Sequence, residues 1–175
     1  MELIQAEYNI TVTDFRKASY YGLFLRYRKP FLFLFIVIVG ALLYELAAAL
    51  GFGTANSLVF FLTAAYVVWG FVIAANTEKE IRAYLNSSGC LIGCECRMTL
   101  DAKCFRFKIP QKNVDVTYAY KMLACAFELH ALFLLYTTPQ DVYLLPKRAL
   151  TTEQNVILRN VLKKELQKRF ATRFG

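Results

Sequence analysis

The sequence predicts an α+β membrane protein, in which a two-helix transmembrane hairpin precedes a small antiparallel sheet or partly open barrel capped by an amphipathic helix. Two apolar runs, residues 31–50 and 57–75, predict the hairpin. Apolar and polar side chains alternate in several short segments between Cys94 and Pro146, a pattern typical of strands. Leucines at i, i+4 spacing from Leu158 predict the terminal helix.

Each apolar run is close to the ~20 residues that an α-helix needs to cross a hydrocarbon layer of ~30 Å. The joint between them, residues 51–56, carries no charge and is long enough only for a tight hairpin. We therefore expect three regions: an N-terminal strand and interfacial helix (1–30), a hairpin (31–76) and a soluble domain (77–175). Because a hairpin returns the chain to the side it came from, the N-terminal strand can join the sheet of the last region.

Basic residues flank the hairpin on one side only. Arg26, Arg28 and Lys29 precede the first run, Lys79 and Arg82 follow the second, and the joint has none. The positive-inside rule then places both termini in the cytoplasm. A cleaved secretory signal is the competing interpretation, since AAALGFGTA offers small residues for cleavage, but a second apolar run follows at once.

Before the hairpin, EYNITVTDF alternates as a short strand, and Asp14 is the expected N-cap of a following helix. Tyrosines and cations in FRKASYYGLFLRYRKP suit a helix in the headgroup region, with Pro30 at a start or kink. After the hairpin, Thr151 and Gln154 predict a capping box for the last helix, whose apolar stripe extends to Phe170. The strand candidates between them are CFRFKI, VDVTYAY, LACAFEL, LFLLYTT and VYLLP.

Three segments carry a resemblance to a known family: YNITVTDFRKA, MTLDAKCFRFKI and VYLLPKRALTTEQNVILRNVLKK. Over nearly its whole length the chain resembles the YcxB-like family of small bacterial membrane proteins. The resemblance implies a multi-pass protein of the bacterial cell membrane, whose cytosolic part is similar to bacterial pleckstrin-homology-like (PH-like) domains. It supplies no catalytic residues. The sequence departs from the family at CLIGCEC and at the weakly marked loop before the fourth strand.

Four cysteines, Cys90, Cys94, Cys96 and Cys104, are clustered in the sequence and could form a thiolate set for zinc. Their spacing matches no standard zinc knuckle, so we expect small apolar packing residues, and palmitoylation of Cys90 stays open. Structural disulfides are not expected in a reducing cytosol. No cofactor and no metal are predicted.

Glu45 is the only ionisable residue within the two runs. It either reaches water near the outer end, pairs with Asn56, or takes part in ion movement. Small residues such as Gly40 and Gly70 are expected to let the helices approach closely. His130 has no partner motif and is expected to be an exposed turn residue, so we predict no enzyme.

Basic residues are the remaining candidates for a site. Arg106 and Lys108 share one strand face, Lys147 and Arg148 precede the last helix, and that helix adds further cations. Each cation near an anionic leaflet contributes about 1 kcal/mol. A solvated face is the alternative, and nucleic acid is not expected because no recognition motif is present.

The sequence therefore predicts a non-catalytic docking module for a partner protein or the anionic inner leaflet. The alternative, by analogy alone, is an immunity protein against a membrane-active toxin or bacteriocin. A transporter subunit would rest on Glu45. The lipid bilayer is an expected partner, a homo-oligomer is possible, and the sequence does not identify the protein partner.

Overall fold

The computed structural model describes residues 2–51, 57–138 and 141–172. The chain divides into two units, one of Met1–Ala18 with Cys90–Gly175 and one of Ser19–Gly89. The described helices are α1 (Val12–Ala49), α2 (Ser57–Leu85) and α3 (Thr152–Leu166). The described strands are β1 (Glu2–Asn9), β2 (Glu95–Asp101), β3 (Cys104–Ile109), β4 (Val114–Ala119), β5 (Cys125–Glu128), β6 (Leu132–Tyr136), β7 (Val142–Pro146) and β8 (Phe170–Thr172).

The strands form two four-stranded sheets. The first has the order β1-β2-β3-β4 and is antiparallel throughout, so the N-terminal strand does pair with a strand beyond the hairpin. The second has the order β7-β6-β5-β8, in which β8 runs parallel to β5. The α+β class is confirmed, whereas the sheet is not a closed barrel. The chain makes a 3-10 turn at Tyr120–Met122 between the two sheets.

The inner faces of the two sheets share one hydrophobic core. Phe105 and Phe107 point inward from β3, and their ring centroids lie 5.5 and 5.0 Å from that of Tyr143 on β7. The buried Tyr8 hydroxyl on β1 donates a hydrogen bond of 2.6 Å to the carbonyl of Leu144. The strong alternation in β3 therefore reflects one face on this core and one face in solvent.

Helix α1 begins with a capping box that differs from the prediction. The Thr11 hydroxyl accepts a hydrogen bond from the Asp14 N–H at 3.2 Å, and the Asp14 carboxylate accepts one from the Thr11 N–H at 3.0 Å. Asp14 as the N-cap is therefore wrong. The helix starts earlier because the inward alternation of β1 stops at Ile10. The helix also continues through Pro30, so a helix start at this residue is wrong; an interior proline removes one backbone hydrogen bond and crowds the preceding turn.

The second unit consists mainly of two apolar helical segments. Tyr27–Ala49 and Phe61–Leu85, of 23 and 25 residues, are long and apolar enough to cross a membrane. Aromatic rings join the helices: the Phe31 and Trp69 centroids are 5.3 Å apart. A Cβ added to Gly40 would meet nothing within 4 Å, and the same is true of Gly70. The close approach expected at these two glycines is therefore wrong for the part of the chain that the structure describes.

The terminal helix starts where the sequence predicts, and it ends at Leu166, before the predicted end. The Thr151–Gln154 capping box is present, and Leu158, Leu162 and Leu166 are buried. Phe170 does not extend the helical stripe. Gln167 takes a φ of 49°, and Phe170 enters β8, where the edge of β5 offers backbone hydrogen-bond partners.

Candidate functional site

Arg106 and Lys108 lie on the solvent side of the first sheet. The alternation of β3 places them opposite its buried phenylalanines. Lys108 lies between Arg97 and Asp115 in the register of the neighbouring strands, and Arg106 lies between threonines. Both cations therefore occupy the middle of a rigid and exposed face.

Carboxylates balance the cations on this face. Arg106 donates to both carboxylate oxygens of Asp115 at 2.7 and 2.5 Å, which holds the pKa of Asp115 below its ordinary value. Arg97 contacts Glu95 at 2.7 Å and Glu7 at 3.3 Å. The face is therefore mixed in charge, whereas the sequence led us to expect a basic one. We define the mixed-charge face as Glu7, Glu95, Arg97, Arg106, Lys108 and Asp115.

Lys147 has a different setting, because it contacts the buried carboxylate of Glu128. Its ammonium donates to that carboxylate at 2.8 Å, and the Arg159 guanidinium donates at 2.7 and 2.5 Å. Burial alone would raise the pKa of Glu128, but the hydrogen bonds from Arg159 and Lys147 outweigh it and lower the pKa. Lys147 thus connects the turn before α3 to β5, and Arg159 connects the middle of α3 to the same strand.

Arg148 contacts a second buried carboxylate, that of Asp14. Its guanidinium donates to the two oxygens of Asp14 at 2.8 and 2.6 Å and to the carbonyl of Asn9 at 2.8 Å. Burial raises the pKa of Asp14, and the hydrogen bonds from Arg148 and Thr11 bring it below the ordinary value. Lys147 and Arg148 are adjacent in the sequence, but they therefore bind two different buried carboxylates. Those of Glu128 and Asp14 lie far apart in the sequence.

We expect Arg148→Ala to lower the free energy of unfolding by about 1–2 kcal/mol, because Asp14 is buried while Arg148 is half-exposed. Arg148→Lys keeps the charge but loses the two-pronged geometry, so it is expected to recover only part of the loss. Urea unfolding of the full chain in detergent measures both. Equal stability of Arg148→Ala and the parent would show that this ion pair has no structural role.

Part of the chain matches a known family model. Residues 105–162 match the model of the YcxB-like protein family. This segment is similar to that family, and we call it the YcxB-like segment. The match covers about a third of the chain, and over that part it confirms the resemblance seen in the sequence. No curated protein matches the chain, and no solved structure matches it either.

The YcxB-like segment contains much of the polar structure described above. Arg106 and Lys108 lie near its start, and the complete ion-pair cluster of Glu128, Lys147 and Arg159 lies within it. Asp14 lies outside, on the N-terminal part of the chain. Arg148 therefore joins the YcxB-like segment to the start of α1.

The role of Glu128 was not predicted from the sequence, although a signal was present. In LACAFEL, Glu128 occupies the same strand face as Ala126, and both side chains are buried. A carboxylate at a core position of a short strand needs cationic partners. Alternation alone therefore points to an internal ion pair, and only the fold shows that its cations are Lys147 and Arg159.

The remaining sequence candidates have these positions. Cys96 is buried on β2, and burial raises its pKa to about 11. Within residues 2–51, 57–138 and 141–172, no group of three or more His, Cys, Asp or Glu is arranged to hold a metal ion. His130 is exposed between β5 and β6, as predicted. Glu45 is half-exposed on α1, and its proposed partner Asn56 lies outside the described residues.

Proposed function

We propose that the chain is a membrane-anchored, non-catalytic docking module whose mixed-charge face binds a partner protein. In this proposal α1 and α2 cross the bacterial cell membrane as a hairpin, and both termini are cytoplasmic. The exposure of large apolar side chains such as Phe33 and Phe71 supports insertion. Cations on one side of the hairpin, including Arg28 and Lys79, support the orientation.

The arrangement of the first unit supports a PH-like domain as its fold. Two sheets enclose one core, and α3 packs against the turn at Tyr120–Met122 and against β5. A terminal helix at one end of two facing sheets is the arrangement that the sequence resemblance implies. Such folds host many functions, so the docking role depends on the mixed-charge face and not on the fold.

The observation that carries the docking role is the pattern of charge on the mixed-charge face. Cations and carboxylates are interleaved there on four hydrogen-bonded strands, so their positions are fixed relative to one another. A patterned rigid surface distinguishes partners by charge complementarity. A uniformly anionic leaflet would meet the carboxylates of Glu7 and Asp115, so a protein partner fits this face better.

The buried ionisable groups support a non-catalytic role. Glu128 and Asp14 are the two buried carboxylates of the first unit's described residues, and cations of the same unit bind both. A general acid or base must reach a proton on its substrate. Carboxylates held in this way serve the fold, which leaves surface contact as the function that the geometry favours.

The test is capture of the partner in living cells. A photoreactive amino acid at Thr117, which neighbours Arg106 on the mixed-charge face, would report the adduct without using lysine chemistry. We expect Arg106→Glu with Lys108→Glu to reduce the adduct roughly tenfold or more, because both reversals oppose the partner's charges. The matched control is Lys163→Glu with Lys164→Glu, two exposed lysines on α3.

An unchanged adduct in the Arg106 and Lys108 double variant would contradict the proposal. Deletion of the protein supplies a separate test of the immunity alternative. If deletion sensitises cells to one membrane-active toxin, and the double variant still protects them, the mixed-charge face is not the functional surface.

A further inference from the structure

A second charged surface lies at another place on the first unit. Four exposed cations, Lys103, Lys121, Lys168 and Arg169, belong to three chain segments around the exposed Met122. We call these five residues the lysine surface. They come from the β2–β3 turn, the 3-10 turn Tyr120–Met122 and the 3-10 turn Gln167–Arg169.

Hydrogen bonds to backbone carbonyls bring the three segments together. The Tyr120 N–H donates to the carbonyl of Lys103 at 2.9 Å. The Arg169 guanidinium donates to the carbonyl of Leu123 at 2.6 Å and to that of Lys121 at 3.3 Å. The lysine surface is therefore built by the fold, since its members lie far apart in the sequence.

Met122 is the apolar centre of this surface. Its side chain is 73% exposed, while Tyr120 and Leu123 on either side are completely buried. The Met122 side chain is long and flexible, so it can enter an apolar layer without disturbing the backbone. An exposed apolar side chain surrounded by cations is the chemistry of contact with a lipid interface.

The charge of the lysine surface differs from that of the mixed-charge face. The carboxylates of Asp101 and Glu165 act on the buried Tyr120 hydroxyl, and both residues are half-buried, whereas the four cations are exposed. Four exposed cations therefore outnumber the two half-buried carboxylates, and the net charge of this surface is positive. An anionic headgroup layer complements such a surface, with each cation worth about fivefold in affinity.

We propose that the lysine surface binds the anionic lipid headgroups of the membrane in which the protein is anchored, with Met122 entering the interface. This step rests on the membrane anchoring in the proposed function. A tethered domain meets its own leaflet at high effective concentration, so even weak contact is occupied. The contact would orient the mixed-charge face toward a partner.

The test uses the full chain in nanodiscs of phosphatidylcholine, alone or mixed with phosphatidylglycerol. The rate at which hydrogen peroxide oxidises Met122 is measured by mass spectrometry, with urea unfolding as a check on folding. We expect phosphatidylglycerol to slow the oxidation several-fold. Lys121→Glu with Lys168→Glu should abolish the slowing, and Lys121→Arg with Lys168→Arg should retain it.

The double reversal of Arg106 and Lys108 separates the two proposals. It should lose the partner adduct and keep the lipid protection of Met122. Reversal of Lys121 and Lys168 should lose the lipid protection of Met122. Equal oxidation rates in both kinds of nanodisc would overturn the lipid proposal. Protection by soluble polyglutamate, with none by phosphatidylglycerol, would assign the surface to an acidic protein and overturn it equally.

Discussion

Removing both cations that contact Glu128, in the variant Lys147→Ala with Arg159→Ala, is expected to lower the free energy of unfolding by about 3–5 kcal/mol. Glu128 is fully buried, so its carboxylate would keep the desolvation penalty and lose the hydrogen bonds that offset it. Breaking a buried pair costs more than removing an exposed one because a charge is left unpaired. Urea unfolding of the full chain in detergent, followed by circular dichroism, measures the change.

The pH dependence of the variant's loss of stability tests whether the unpaired carboxylate of Glu128 causes that loss. In the parent, the folded pKa of Glu128 lies below its ordinary value of 4.5, so its contribution is present above that pH and is lost as the pH falls through the lowered folded pKa. In the variant the hydrogen bonds from both cations are lost, and burial then raises the folded pKa of Glu128. The variant's deficit should therefore shrink on acidification, because protonation removes the buried charge.

The matched control for this prediction is Lys163→Ala with Lys164→Ala. These lysines are exposed on the same helix, so their removal is expected to change the free energy of unfolding by less than about 0.5 kcal/mol. A deficit in the Lys147 and Arg159 variant that is constant between neutral pH and about pH 4 would contradict the role of Glu128. Such a result would point to lost packing of the two side chains.

Local patterns were sufficient to predict much of the fold. In CFRFKI the alternating side chains identify β3 and its buried face, and both are confirmed. The Thr151–Gln154 capping box is confirmed. It was predictable because both of its hydrogen bonds lie within one turn of the chain. The start of α1 was predicted less well. Thr11 and Asp14 are both good capping residues, and the choice between them depends on where β1 ends.

The candidate site depended on contacts that no local pattern contains. Asp14 and Arg148 are 134 residues apart, and Glu128 and Arg159 are 31 apart. The sequence shows Lys147 and Arg148 as two cations before a helix, a pattern equally typical of a lipid-binding surface. The lysine surface was missed for the same reason. The carbonyl of Lys103 and the guanidinium of Arg169 both form hydrogen bonds with the turn Tyr120–Met122, and these contacts exist only in the folded chain.

Replacing Phe105 by alanine is expected to lower the free energy of unfolding by about 3–5 kcal/mol. The ring is completely buried, and its centroid lies 5.7 Å from that of Tyr118 and 5.5 Å from that of Tyr143. Since Tyr118 belongs to the first sheet and Tyr143 to the second, the cavity would open between the two sheets. Urea unfolding of the full chain measures the loss.

The same variant shows whether the two sheets are one cooperative structure. Amide hydrogen exchange should accelerate in β7 as well as in β3, because Tyr143 loses its contact with the missing ring. Met122→Ala removes an exposed side chain of similar length and should leave both the stability and the exchange rates unchanged. Faster exchange confined to β3 and its neighbours would show that the sheets unfold separately. In that case the N-terminal strand would stabilise only the first sheet, and the mixed-charge face would not depend on the second.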